Sequence, residues 1–266
     1  MSRRHFTFAC EGNALAATLD AADGTTGLLL VSGGNEVRAG PWGSQARLGA
    51  SLAAAGHPVL RFDRRGVGDS EGGNGSYRSS AADIAAALEA FRREQPQLTR
   101  IVAYGNCDAA AALALTGGAG CDALVLSNPW TFDEPTDATT PAEATPPAAL
   151  RAHYRRRLAD PAALKRLLTG QVSLRRLFGS LRKASAKPER SRLAGEIADG
   201  LAGFTGPVRL LLAGNDRTAQ AFLGLWDRRD PRLRHCPGAS HSFVEPQARD
   251  WLEQQLREVL ADQRGT

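Results

Sequence analysis

Short runs of continuous apolar residues alternate along the chain with longer stretches in which apolar residues recur every three or four positions. The continuous runs are typical of strands that are buried on both faces. They predict strands at residues 26–31, 58–63, 100–104, 123–127, 207–213 and 232–236. The helical periodicity predicts helices at residues 42–55, 81–94, 108–116, 217–226 and 247–260. Two further strands, at residues 6–10 and 15–19, flank Glu11-Gly12-Asn13 and predict a hairpin.

Strands that alternate with helices predict an α/β fold with a mostly parallel, doubly wound sheet, and the hairpin adds antiparallel strands before it. The alternation is interrupted once. Residues 132–149 are rich in Pro, Thr and acidic residues, and basic amphipathic helices are predicted from residue 151 to about 203. The sequence therefore predicts a core made of residues 1–129 and 206–266, with a helical lid inserted at residues 130–205.

The net charge of +5 is distributed unevenly. Between Arg151 and Arg192 there are thirteen Lys and Arg against two acids, a net charge of +11, so the other residues carry a net −6. Such a segment is predicted to be a solvated lid or a surface that attracts an anionic membrane or an acidic glycan. Nucleic acid is not expected as a partner, because aromatic residues do not interleave with the cations.

The four cysteines are scattered, with no CxxC spacing, and no apolar run approaches the roughly 20 residues of a membrane span. Residues 1–10 contain no apolar stretch of the length found in signal peptides. These features predict a reduced, cytoplasmic protein that needs neither a structural metal nor a cofactor.

Cys107 lies where a predicted strand turns directly into a predicted helix. The segment Gly105-Asn106-Cys107-Asp108-Ala109 has the spacing of the nucleophile elbow G-x-S-x-G, with Cys in place of Ser and Ala in place of the second Gly. A thiol at a helix N-terminus faces unpaired N–H groups, which favour the thiolate form. A small buried hydrophobe is the other reading of a lone Cys. The strand-to-helix context favours a catalytic nucleophile.

Two later residues supply the groups that a nucleophilic thiol needs. Asp216 and His241 both fall just beyond predicted strands, and the carboxyl ends of parallel strands meet at one edge of a sheet. His241 would accept the thiol proton, and Asp216 would orient the imidazole or cap the following helix, or do both. Asp133, beyond the preceding strand, is the alternative acid.

The end of the first buried strand, Ser32-Gly33-Gly34, offers backbone N–H groups that could face a ligand, although a plain turn has the same sequence. Together with the N–H of Asp108, the N–H of Gly34 would complete an oxyanion hole. The neighbouring amides Asn35 and Asn106 are predicted to contact the substrate. No metal ligand is predicted.

The order Cys107, Asp216, His241 is similar to that of the α/β-hydrolases. Residues 63–70, Asp-Arg-Arg-Gly-Val-Gly-Asp-Ser, also resemble the D-x-R-G-x-G-x-S loop of these enzymes, and we interpret that loop as structural. More narrowly, the stretches 32–34, 58–72 and 105–108 resemble the hydrolases associated with the exosortase A system of bacteria that produce exopolysaccharide. The resemblance implies an α/β-hydrolase fold and acyl chemistry.

The sequence thus predicts a hydrolase or acyltransferase that acts on an ester- or thioester-linked acyl group through a Cys-His-Asp triad. The expected partner is a small or acylated substrate. The alternative is a catalytically silent accessory protein that keeps the fold and binds an anionic glycan, lipid or protein through its basic lid.

Overall fold

The computed structural model describes residues 2–133 and 191–262. In this part of the chain there are eight strands, β1 (Ser2–Cys10), β2 (Asn13–Ala21), β3 (Thr26–Val31), β4 (Val59–Phe62), β5 (Arg100–Asn106), β6 (Ala123–Ser127), β7 (Val208–Ala213) and β8 (Leu233–Cys236). The helices of the same ranges are α1 (Ser44–Ala54), α2 (Ser80–Glu94), α3 (Asp108–Leu115), α4 (Arg192–Gly203), α5 (Arg217–Leu225) and α6 (Pro246–Ala261).

The first helix, predicted from roughly residue 42, starts slightly later in the structure. The helix expected from residue 42 begins at Ser44, because Pro41–Gly43 form a separate 3-10 turn in which Trp42 has a φ of 55°. That left-handed backbone separates the turn from the α-helix, and the Trp42 side chain is 87% exposed.

The eight strands form one sheet in the order β1-β2-β4-β3-β5-β6-β7-β8. β2 pairs antiparallel with both β1 and β4, whereas the other neighbours are parallel. The predicted fold class, a mostly parallel sheet with a leading hairpin, is confirmed. Since the carboxyl ends of β3, β5, β6, β7 and β8 share one edge, the loops that follow these strands lie together there.

Apolar side chains cover both faces of the sheet, and β5 and β6 are buried along their whole length. On one face α3 buries every residue from Ala109 to Ala114. Helix α4 packs against α3 through Leu193, Ile197 and Leu201, which lie four residues apart on one side of the helix. A Cβ on Gly200 would lie 2.1 Å from the Ala114 carbonyl oxygen, so this close approach requires glycine.

The glycine-rich loop after β4 is structural, as interpreted from the sequence. Asp63 is fully buried, and its carboxylate accepts the N–H groups of Arg38 (2.5 Å) and Asp69 (3.1 Å). The Arg38 guanidinium forms an ion pair with the same carboxylate. Ser70 Oγ donates to the Asp63 carbonyl at 2.7 Å and so closes the loop.

Most of the predicted lid falls outside the described residues. Of residues 130–205, the described C-terminal part is α4 and its flanks, and α4 packs against α3. Residues 134–190, which hold nearly all of the basic segment, are not described, so the lid and its bounds stay a prediction. Within the described ranges, no helix has the length and apolar character needed to cross a membrane.

Candidate active site

Cys107 lies at the sharp turn between β5 and α3, with φ 60° and ψ −122°. This is a strained conformation for a residue with a Cβ, and surrounding bonds hold it. The Cys107 N–H donates to the Ser127 carbonyl at 2.9 Å, and its own carbonyl accepts from the Trp130 N–H at 3.1 Å. A Cβ at Gly105 would lie 2.8 Å from the Ala109 carbonyl carbon, which explains why the elbow needs glycine there.

His241 and Asp216 meet beside this turn. His241 Nδ1 lies 3.0 Å from Asp216 Oδ1, and His241 also shares a hydrogen bond with the Cys107 thiol. The pKa of His241 is raised to about 10, first by the hydrogen bond with Asp216 and then by that with Cys107. The raised pKa favours the imidazolium form of His241, and the Asp216 carboxylate stabilises that charge.

Asp216 uses both carboxylate oxygens. While Oδ1 faces His241, Oδ2 accepts the N–H of Ala219 at 2.9 Å and caps α5. The two roles considered from the sequence thus coexist in the structure. Asp133, the alternative acid, instead accepts the N–H groups of Arg192 (3.1 Å) and Leu193 (2.9 Å) at the start of α4.

Two asparagines hold the loop that carries His241. Asn106 Nδ2 and Asn128 Nδ2 donate to the His241 carbonyl at 3.2 and 3.0 Å, and Asn128 Nδ2 also donates to Asn106 Oδ1 at 3.0 Å. Asn128 Oδ1 accepts the Ala213 N–H at 2.9 Å, so the fully buried Asn128 links the ends of three strands. Sequence reasoning gave Asn128 no role, because it looked like an ordinary strand end before Pro129.

Asn106 and Asn35, the predicted substrate contacts, are both engaged with other side chains. Asn106 donates from Nδ2 to the His241 carbonyl and accepts at Oδ1 from Asn128. Asn35 is exposed in the loop after β3, and its Oδ1 accepts from Asn74 Nδ2 at 2.7 Å. Their contact with substrate stays a prediction.

The Gly34 N–H, the expected second oxyanion donor, is already hydrogen-bonded within the protein. It donates to Asp108 Oδ1 at 2.5 Å. The buried Arg64 guanidinium lies 3.1 Å from Asp108 Oδ2 and donates to the Gly34 carbonyl at 2.7 Å. The predicted donor is therefore not free, because the side chain of the residue after the nucleophile accepts from it. Only the three-dimensional approach of the two loops shows this contact.

Glu36 is a second residue that the sequence reasoning missed. It is half-buried two residues after Gly34, and it interacts electrostatically with His241, Asp108 and Arg64. Burial raises the pKa of Glu36, and the nearby His241 acts in the opposite direction. In the described part of the chain, no group of three or more His, Cys, Asp or Glu side chains is arranged to hold a metal ion.

Comparison with known protein families identifies the family of this chain. The profile described as the alpha/beta hydrolase family matches residues 28–255, so the chain belongs to this family. Family membership supports a hydrolase enzyme.

Solved structures share the fold at low sequence identity. An alpha/beta hydrolase, GrgF from Penicillium sp. sh18, is similar at a TM-score of 0.64 and 17% identity over 98% of each chain. The Pyrococcus furiosus esterase Pf2001 has a TM-score of 0.61 and 15% identity over 97% of this chain and 90% of that one. Est1E from Butyrivibrio proteoclasticus has a TM-score of 0.58 and 13% identity over 97% of this chain and 99% of that one. Among curated proteins, none matches the sequence.

Proposed function

We propose that this protein is a hydrolase or acyltransferase that cleaves an ester- or thioester-linked acyl group with Cys107 as nucleophile. The observation that carries the proposal is the chain of contacts from Cys107, held at a strained elbow, through His241 to the Asp216 carboxylate 3.0 Å away. Such a chain holds the thiolate, keeps the imidazole oriented and needs no metal or cofactor.

In this mechanism, the Cys107 sulfur attacks the acyl carbonyl carbon and forms a tetrahedral intermediate. His241 then gives its proton to the leaving alcohol or thiol as the carbon–heteroatom bond breaks, and the acyl group stays on Cys107. Neutral His241 next takes a proton from water or from an acceptor alcohol, amine or thiol, whose attack releases the acyl group. Asp216 stabilises the imidazolium in both half-reactions.

The oxyanion of each intermediate would lie near the N–H of Asp108, the first residue of α3. The Gly34 N–H can join it only when the Asp108 carboxylate releases that donor, since the two are bonded at 2.5 Å. Cys107 in place of Ser keeps transfer to an acceptor other than water open beside hydrolysis. The narrower resemblance to exosortase-associated hydrolases remains a prediction about substrate context.

A panel of activated esters and acyl thioesters tests the proposal on the wild type, Cys107→Ala and Cys236→Ala. The wild type and Cys236→Ala, a change at a buried cysteine of β8, should turn over at least one substrate and Cys107→Ala none. Mass spectrometry of the quenched wild-type reaction should find the acyl group on the peptide that contains Cys107. Turnover that survives in Cys107→Ala would reject the proposed nucleophile, and an inert wild type would favour the accessory-protein alternative.

A further inference from the structure

A cavity of about 240 Å³ lies beside the proposed triad, between α1 and α6. Three of its lining residues, Glu36, Asn106 and Ser242, lie within two positions of Gly34, Cys107 and His241 respectively. Complete small-molecule sites usually measure about 300–1,000 Å³, so a cavity of this size accommodates one portion of a substrate. Because it lies beside the loops that carry Gly34, Cys107 and His241, it can hold a group attached to the reacting carbonyl.

The cavity combines an apolar wall with one incompletely satisfied carboxylate. Tyr104, Phe243 and Leu252 provide the apolar surface. Among the described residues, the hydrogen bond to the Glu36 carboxylate is a long one of 3.4 Å from Gln45 Nε2. A partly buried carboxylate with so weak a partner is stabilised by any ligand that brings hydrogen-bond donors or positive charge.

The charges around the nucleophile favour a cation. The carboxylates near Cys107 are those of Glu36, Asp108 and Asp216, and the cations are Arg64 and protonated His241. These groups carry three negative charges against two positive ones. The other charged residues that line the cavity are Arg47, Arg249, Asp250 and Glu253, of which Glu253 is paired with Arg257 at 2.6 Å.

The neighbouring carboxylates differ from Glu36 in being paired. Asp108 bonds to Arg64 and to the Gly34 N–H, and Asp216 bonds to His241 and to the Ala219 N–H. The Arg64 guanidinium directs its hydrogen bonds to Ser80, Gly34 and Asp108 rather than to Glu36. Of the three carboxylates near Cys107, Glu36 on the cavity wall is therefore the one that forms no ion pair with the described residues.

We infer that this cavity binds a protonated amine of the substrate, as in an aminoacyl or aminoalkyl ester or thioester, and that Glu36 is the ligand for its ammonium group. The inference rests on the proposed function for the identity of the nucleophile. It concerns the described residues at the sheet edge, and the basic segment between Arg151 and Arg192 is a separate part of the chain.

Alkylation rates of Cys107 measure whether the site prefers a cationic reagent, and they do not require turnover. The reagents are 2-bromoethylammonium, which is cationic, iodoacetamide, which is neutral, and iodoacetate, which is anionic, and each rate is divided by its rate with N-acetylcysteine amide. At low ionic strength the normalised rate of the cationic reagent should exceed that of the neutral one by about tenfold, the effect of roughly 1.4 kcal/mol. The anionic reagent should be the slowest.

Glu36→Gln should bring the cationic and neutral rates close to each other, because it removes the charge and keeps the side-chain size. Glu89→Gln is the matched control, since it makes the same change at an exposed position of α2 and should leave the ratio as in the wild type. Equal normalised rates for the three reagents in the wild type, or a preference for iodoacetate, would overturn the inference. So would a preference for the cation that Glu36→Gln leaves intact.

Thioesters separate this inference from the proposed function. The ratio of kcat/KM for a 6-aminohexanoyl and a heptanoyl thioester should favour the amine about tenfold in the wild type and fall toward one in Glu36→Gln. If neither thioester reacts but alkylation still selects the cation through Glu36, the proposed function fails and the cavity assignment stands. If both react equally and alkylation shows no selection, the proposed function stands and the cavity assignment fails. A Cys107 that none of the reagents modifies would reject both.

Discussion

Asp216→Asn removes the charge that faces His241 and keeps the shape of the side chain. In the native protein one carboxylate oxygen lies 3.0 Å from His241 Nδ1, and the other accepts the Ala219 N–H at 2.9 Å. Because Asn caps helices about as well as Asp, α5 should stay intact. At about pH 10, where the ion pair with His241 contributes little stability, we expect the melting temperature to fall by no more than about 4 °C, the shift that ~1 kcal/mol causes in a chain of this size.

The catalytic effect should be far larger, because the hydrogen bond that His241 donates to Asp216 is the main reason that the pKa of His241 is raised to about 10 from an ordinary 6.5. Without the carboxylate, the pKa of His241 falls toward its ordinary value and the imidazolium is lost at neutral pH. The Asn amide can also donate to Nδ1, which places the remaining proton on the wrong nitrogen. The same substitution in serine-protease triads lowers kcat by about 10⁴. We expect a loss of 10³–10⁴ here, or about 4–5.5 kcal/mol of transition-state stabilisation.

The raised pKa of His241 determines how the stability contributed by the ion pair with Asp216 depends on pH. A raised folded-state pKa means that the ion pair contributes stability in full below about pH 6.5 and loses it as the pH rises toward about 10. In the variant, this loss should be complete at a lower pH. The alkaline limb of the Cys107 alkylation or turnover profile should shift in the same direction.

The assay is ester or thioester turnover and Cys107 alkylation between pH 5 and pH 10, with melting curves for each variant. Asp133→Asn is the matched control, because it makes the same change in a carboxylate that caps α4. It should leave the pH profile unchanged. An Asp216→Asn protein with nearly native turnover, together with an inactive but folded Asp133→Asn, would show that the acid has been assigned wrongly.

Three further predictions concern other parts of the site. Iodoacetamide at pH 8 should modify Cys107 first, because burial raises the pKa of each of the other three thiols. The pKa is raised to about 11 for Cys10 and to about 12 for Cys121, and it is raised for Cys236 as well. Equal labelling by peptide mapping would refute this. Gly105→Ala should lower the unfolding free energy by about 1–3 kcal/mol, because the new Cβ overlaps the α3 backbone, and a native melting curve would contradict it. Asp108→Asn should raise turnover of neutral esters about fivefold, because a neutral amide holds the Gly34 N–H roughly 1 kcal/mol less tightly. Unchanged or reduced kcat in a folded Asp108→Asn would show that the carboxylate does not compete with the oxyanion.

The elbow could be predicted because its constraints are local. A strand that turns within two residues into a helix needs small residues where the backbones approach, and these are Gly105 and Ala109, only four residues apart in the chain. The positions of the strands along the chain could be predicted from continuous apolar runs, which are typical of strands that are buried on both faces. The convergence of Cys107, Asp216 and His241 also followed, since parallel strands bring their carboxyl ends to one edge.

Other contacts were decided only by tertiary structure, because they join residues that the sequence does not relate. Asn128 and the His241 carbonyl are 113 residues apart, and Gly34 and Asp108 are 74 apart. Whether a backbone N–H stays open for an oxyanion or bonds to a carboxylate depends on ångström-scale distances between separate loops. The charge of Glu36 could likewise be read from the sequence, but its place on a cavity wall depends on how α1 and α6 pack beside the sheet.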